Sequence, residues 1–71
     1  MKIIYTHHAK MRLEIRGITE EMVAKTLSEP DEAGKGYKNR NLVFRTFPQG
    51  RIKVVYKVEN EEIVIISVMW D

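Results

Sequence analysis

The chain has 71 residues, 44% of them hydrophobic and 31% charged, with a formal net charge of +2 and no cysteine. That length suits a single domain over 1–71, and the composition is too apolar for intrinsic disorder. Absence of cysteine excludes a disulfide framework and any thiolate metal site, and the longest apolar run, Ile63–Ile66, is far below the roughly 20 residues that span a bilayer.

Met1–Tyr5 is a short apolar start that suits an edge strand. Thr6 is placed to cap a helix over His7–Arg16, with Gly17 as its left-handed stop. Thr19 is a second N-cap, and Glu20 and Glu21 lie where the helix dipole favours acids. Pro30 closes this second helix, which runs to about Ser28. The pair makes an αα-hairpin with a minimal connection. Asp31–Arg40, rich in Gly, Lys and Asn, reads as a loop or a weak edge strand. Beyond it the period becomes two, and Asn41–Phe47, Ile52–Glu59 and Glu62–Trp70 read as strands rich in β-branched and aromatic residues. Pro48-Gln49-Gly50 fits a three-residue hairpin loop, and Asn60-Glu61 a two-residue turn.

Those loops predict a register. Val58 pairs with Ile63, Tyr56 with Ile65, Val54 with Ser67 and Ile52 with Met69, while Phe44 pairs with Val54 and Leu42 with Tyr56. The face under the helices then contains Leu42, Phe44, Ile52, Val54, Ile65, Ser67 and Met69, and the opposite face mixes Val43, Phe47, Val68 and Trp70 with Arg45, Arg51, Lys53 and Lys57. The expected fold is α+β: two N-terminal helices packed on an antiparallel sheet of three to four strands.

The first helix carries polar groups inside its apolar arc. At 100° per residue, Ala9 and Leu13 flank one side of a His8–Arg12–Arg16 row, and Met11 and Ile15 flank the other. Arginine stems laid over a core with their heads in water, and a satisfied histidine, explain such a row structurally. A row that opens into a cleft explains it chemically. The imidazole moves a proton near neutral pH while guanidinium groups hold a phosphate and offset its developing charge.

Charge is also segregated along the chain. Lys35, Lys38, Arg40, Arg45, Arg51, Lys53 and Lys57 fall between Ala33 and Val58 with no acid among them. Such a block is either a solvated surface or a phosphate-facing one. Trp70 and Phe47 beside Arg51 and Lys53 suit base stacking or a protein partner. His7-His8 lacks an evident third metal ligand and its side chains diverge by about 100°. No Gly-rich phosphate loop and no serine nucleophile elbow occurs. No metal and no cofactor is expected.

The segments Thr6-His7-His8-Ala9-Lys10-Met11-Arg12, Arg16-Gly17-Ile18-Thr19 and Leu27-Ser28-Glu29-Pro30-Asp31 resemble a family of small domains of unknown function with the signature H-A-x-x-R, R-G-I and x-P-D. Gly50, Val54-Val55-Tyr56 and Ser67-Val68 answer to the later part of that pattern, with Ser67 in place of the more usual threonine. The resemblance implies the fold of RelE-like toxins, within the group that includes barnase-like and colicin-type ribonucleases, and a metal-independent endoribonuclease activity. It carries over to His8, Arg12 and Arg16, with Tyr56 as an auxiliary group.

The leading expectation is therefore a toxin-like endoribonuclease with His8 as general acid or base and Arg12 and Arg16 on the phosphate. Arg45, Arg51, Lys53 and Lys57 would contact RNA. The alternative is a non-catalytic binding module that uses the mixed sheet face for a homodimer or a docked partner. Expected partners are RNA and either an antitoxin protein or a second copy, with no membrane. Because Lys10, Arg12 and Glu14 interrupt the opening stretch, no signal peptide is expected, and the expected location is the cytoplasm.

Overall fold

Strand β1 (Lys2–Tyr5) leads into helices α1 (His7–Arg16) and α2 (Glu20–Ser28), followed by strands β2 (Glu32–Lys35), β3 (Asn41–Phe47), β4 (Gly50–Glu59) and β5 (Glu62–Trp70). The computed structural model describes residues 1–71. Local chemistry sets the helix ends. The Thr6 hydroxyl accepts from the Ala9 N–H and the Thr19 hydroxyl from the Met22 N–H, each at 3.1 Å. Both satisfy donors that a helix leaves without an internal partner. Gly17 stops α1 at φ 65°, where an added Cβ would meet nothing within 4 Å. Glycine is required there by backbone conformation and not by space.

The strands form one sheet in the order β1-β5-β4-β3-β2. β1 runs parallel to β5, and the other three pairings are antiparallel. This corrects two expectations: the sheet has five strands, not three to four, and it is mixed, not purely antiparallel. The extra strands come from Met1–Tyr5 and Asp31–Arg40, each only four residues long once formed. A strand that short shows no alternation of its own, and its partner is chosen by the rest of the fold.

The register also departs from expectation, in two places. Asn60 and Glu61 both take positive φ, 50° and 62°, the type I′ geometry that follows strand twist, and Val58–Ile63 and Tyr56–Ile65 pair as predicted. A β-bulge then leaves Ile66 unpaired, so Val55 faces Ser67, Val54 faces Val68 and Ile52 faces Trp70. The β3–β4 turn is one residue tighter than predicted, with Gly50 paired to Phe47. Phe44 therefore faces Lys53 instead of Val54, and Leu42 faces Val55 instead of Tyr56. Each one-residue slip exchanges the two faces. Val43 and Val68 become core at 4% and 0% exposure, while Leu42, Phe44, Ser67 and Met69 move to the opposite side.

The core lies between the helices and one sheet face. Val43, Ile52, Val54, Ile65 and Val68 meet Ala9 and Leu13 of α1, Ile18 of the connection, and Met22 and Val23 of α2. Each of these side chains other than Ala9, fully buried, contributes about 1.5–3 kcal/mol. Thr26 is the buried polar residue, and its hydroxyl donates to the Met22 carbonyl at 2.8 Å. α1 packs on β5 and β1, and α2 packs on β3 and β4. No helix or strand covers the other sheet face.

The position of α1 at the sheet margin narrows its buried arc. Ala9 and Leu13 are buried, but Met11 and Ile15, expected to flank the polar row from the core side, are 48% and 67% exposed.

Candidate functional site

The polar row of α1 divides by depth. Arg16 is half-buried and its Nη1 donates to the Val68 carbonyl at 2.6 Å. The reason is topological. The Asp71 N–H donates to the Arg51 carbonyl, so alternate residues back along β5 turn toward β4 and Val68 turns away from it. β1 ends opposite Ile65 and never reaches Val68. Arg16 thus supplies a donor to an edge carbonyl that no strand covers. In return, the Trp70 indole N–H donates to the Arg16 carbonyl at 2.8 Å, closing the C-terminus of α1 against β5.

One and two turns earlier lie Arg12, half-buried, and His8, exposed. The Arg12 Nε approaches the His8 Nε2 at 3.5 Å. Arg12 has no carboxylate or carbonyl partner, in contrast to Arg16, Arg45 and Arg51. The two side chains do meet, but neither they nor Arg16 line either cavity of the molecule. Tyr56 lies on the helix-covered face, half-buried against the core, with no hydrogen bond to the row.

The cations of the middle third separate onto opposite faces, and some of them find partners. Arg45 lies under the helices, donates to the Glu29 carbonyl at the end of α2, and stands over the Phe47 ring. Its Nε is buried without a partner. Arg51, Lys53 and Lys57 alternate along the uncovered face of β4. Arg51 is bound by Glu32 and Asp71 and stacks 4.8 Å from the Phe44 centroid. Lys57 pairs with Glu59 at 3.0 Å. Lys53 stands 6.0 Å from the Phe44 centroid with no acid beside it. Of the seven cations in the block, folding therefore pairs two, Arg51 and Lys57, with carboxylates. Trp70 and Phe47 belong to the helix side, away from Arg51 and Lys53.

A model of the family described as Domain of unknown function (DUF4258) matches residues 5–70. The chain belongs to this family. No curated protein and no solved structure matches it. The DUF4258 match takes in both helices and all of β2 to β5, so the His8–Arg12 pair and the Arg16–Trp70 clasp are both inside the family's extent.

A second cluster in the DUF4258 domain carried no sequence signal. An open groove of about 700 Å³ runs along β1, lined by Lys2, Tyr5, His7, Lys10 and Glu20 among others. Lys10 pairs with Glu20 at 2.9 Å and stands 5.5 Å from the Tyr5 centroid. Burial, with the Glu20 charge second, pushes the Tyr5 hydroxyl up to about 12. The three side chains come from β1, α1 and α2, and no spacing in the chain announces their meeting. Elsewhere, the hydrogen bond and charge of Lys25 hold the Glu29 carboxyl below its ordinary range, and Glu32 raises Arg51 further. No three histidine or acidic side chains come close enough to hold a metal ion, and no helix is long and apolar enough to cross a membrane.

Proposed function

We propose that this domain is a small, toxin-like, metal-independent endoribonuclease of RelE-like type, acting through His8 and Arg12. One observation carries the reading: a half-buried guanidinium without an anionic partner lies 3.5 Å from a solvent-reachable imidazole. The missing third member of that group is an anion, and a phosphodiester supplies one. In the reaction, the ribose 2′-oxygen bonds to phosphorus as the 5′-oxygen departs. One proton leaves the 2′-hydroxyl and one reaches the 5′-oxygen. His8 handles one of these protons and water the other, while Arg12 binds the non-bridging oxygens. Arg16 and Arg45, held by backbone carbonyls, are positioning residues for the helices in this scheme, and Tyr56 has no assigned contact.

Labelled RNA incubated with the pure protein and a chelator tests the proposal. His8→Ala should lower cleavage about 10²–10⁴-fold with nearly unchanged RNA affinity. Arg12→Ala should reduce both, since a guanidinium on the phosphate acts in ground and transition states alike. Circular dichroism must show each variant folded. No cleavage by the parent protein, or full cleavage by a folded His8→Ala protein, overturns the reading.

A further inference from the structure

Lys35, Lys38 and Arg40 are cations that folding leaves without a carboxylate, and all three lie at the tip of the β2–β3 hairpin. Lys35 closes β2 opposite Asn41, and its ammonium donates to the Asn41 amide oxygen at 2.6 Å. Arg40 is half-buried, and its guanidinium has no hydrogen-bond acceptor. The acids at the same end of the sheet, Glu59, Glu61 and Glu62, pair with none of the three. Among these cations Tyr37 stands 83% exposed, with the Lys38 ammonium 5.7 Å from its ring centroid.

The tip is an ordered turn. The Gly36 N–H donates to the Arg40 carbonyl at 2.8 Å, and the Asn39 and Arg40 N–H groups donate to the Gly36 and Tyr37 carbonyls. Lys38 and Asn39 both take positive φ, 57° and 62°, a backbone that glycine holds more readily. A single exposed aromatic is ordinary, and a charge such as Lys35 on a short edge strand keeps other strands from pairing there. Neither reason accounts for Lys38 and Arg40, which lie beyond the strand on either side of the turn.

We propose that this hairpin tip holds single-stranded RNA, with a base stacked on Tyr37 and phosphates on Lys38 and Arg40. The choice of RNA rests on the nuclease reading above. The tip itself calls for a flexible polyanion with flat faces, since an open ring takes any base and unpaired cations take phosphates. The strand register sets the tip within reach of His8. Asn41, Tyr56, Ile65 and Tyr5 form one row across four strands. Arg40 precedes one end of that row, and α1 begins two residues beyond the other. Three strand spacings make about 14 Å, a span within reach of a strand of about four nucleotides, the short end of single-strand sites. Val58, the next residue out on the same side of β4, is 50% exposed, so no helix covers that end of the sheet.

Fluorescence anisotropy tests the proposal, using the full chain and a labelled single strand of about 12 nucleotides. Its riboses are 2′-O-methylated, so the proposed reaction cannot cut it. Tyr37→Ala should weaken binding about 5–150-fold, the worth of one stacked base, and Tyr37→Phe should retain it. Lys38→Gly combined with Arg40→Gln should lower the slope of log affinity against log salt by about 1.4, for two single-strand phosphate contacts. Glycine suits the positive φ at position 38, so this variant keeps the turn, as far-ultraviolet dichroism should show. Lys25→Gln, on α2, should change neither quantity. With unmodified RNA, the tip variants should raise KM and leave kcat nearly unchanged, because contacts away from the reacting phosphate act on ground and transition states alike. Binding that survives both Tyr37→Ala and Lys38→Gly/Arg40→Gln overturns the proposal, and leaves the nuclease reading standing if the parent protein cuts RNA. No binding by the parent protein at low salt also overturns it. Binding lost on Tyr37→Ala in a protein that cuts no RNA upholds the tip contact and overturns the nuclease reading alone.

Discussion

Replacing Arg16 by leucine separates the two roles its row could play. The substitution keeps an apolar stem over β5 and removes the guanidinium that donates to the Val68 carbonyl at 2.6 Å. A hydrogen bond from a charged donor contributes about 1.5–3 kcal/mol. Arg16 is only half-buried, and the edge carbonyl can take a water in its place, so the value falls around the lower end of that range, about 1–2 kcal/mol. For a chain of this length 1 kcal/mol corresponds to about 4–8 °C, so Arg16→Leu should lower the melting midpoint by about 5–15 °C. Thermal denaturation followed by circular dichroism reads this directly. Trp70→Phe, which removes the reciprocal bond to the Arg16 carbonyl, should cost about 1 kcal/mol, and the double variant should lose less than the sum because the two bonds share one clasp. An Arg16→Leu melt within about 2 °C of the parent would refute the reasoning. If that stable variant had also lost RNA cleavage, Arg16 would belong to the chemistry instead.

Two further outcomes follow from burial and charge. Ile65 is fully buried and Ile66, its neighbour in the bulge, is not; Ile65→Ala should cost about 2–5 kcal/mol, against a total stability of about 4–10 kcal/mol for this length, and Ile66→Ala should cost much less, as urea titration of both variants would show. Tyr5 has a hydroxyl pushed up to about 12 in the fold, above its unfolded value of 10.0; the stability it contributes is fully present below pH 10 and is lost as pH rises through 12, so Tyr5→Phe should flatten the alkaline fall in melting midpoint, and an unchanged slope would remove Tyr5 as its cause.

What the sequence reveals of this fold is what neighbouring residues decide among themselves. Thr6, Thr19 and Gly17 fix both helices to within a residue because caps act within one turn. Asn60-Glu61 fixes the last hairpin for the same reason. The bulge at Ile66 is different, since nothing in Ile65-Ile66-Ser67 marks which residue drops out of the ladder. It is set by the need to bury both Ile65 and Val68, three residues apart, against one layer of helices. The tighter turn at Pro48-Gln49 is settled likewise by Gly50, which lies 3.3 Å under the Trp70 ring measured from an added Cβ. At the candidate site, the wheel placed His8 and Arg12 on one row, and they do meet. The same wheel put Met11 and Ile15 inside, because it could not know that α1 lies at the sheet margin, where only a narrow stripe is covered.

The pairing of the first strand with the last has a consequence for how the protein is made. β1 hydrogen-bonds to β5 alone, and α1 rests chiefly on β5. A chain emerging from the ribosome N-terminus first therefore has its opening sixteen residues in hand long before their support exists. Until Ile65 and Val68 have been added, Ala9 and Leu13 have only a fraction of their final neighbours, and an isolated ten-residue helix is marginal in water. Local turns can form as they appear, but the contacts that join the two ends wait for the final strand. Synthesis and folding are in this way ordered in opposite directions: what is translated first is completed last.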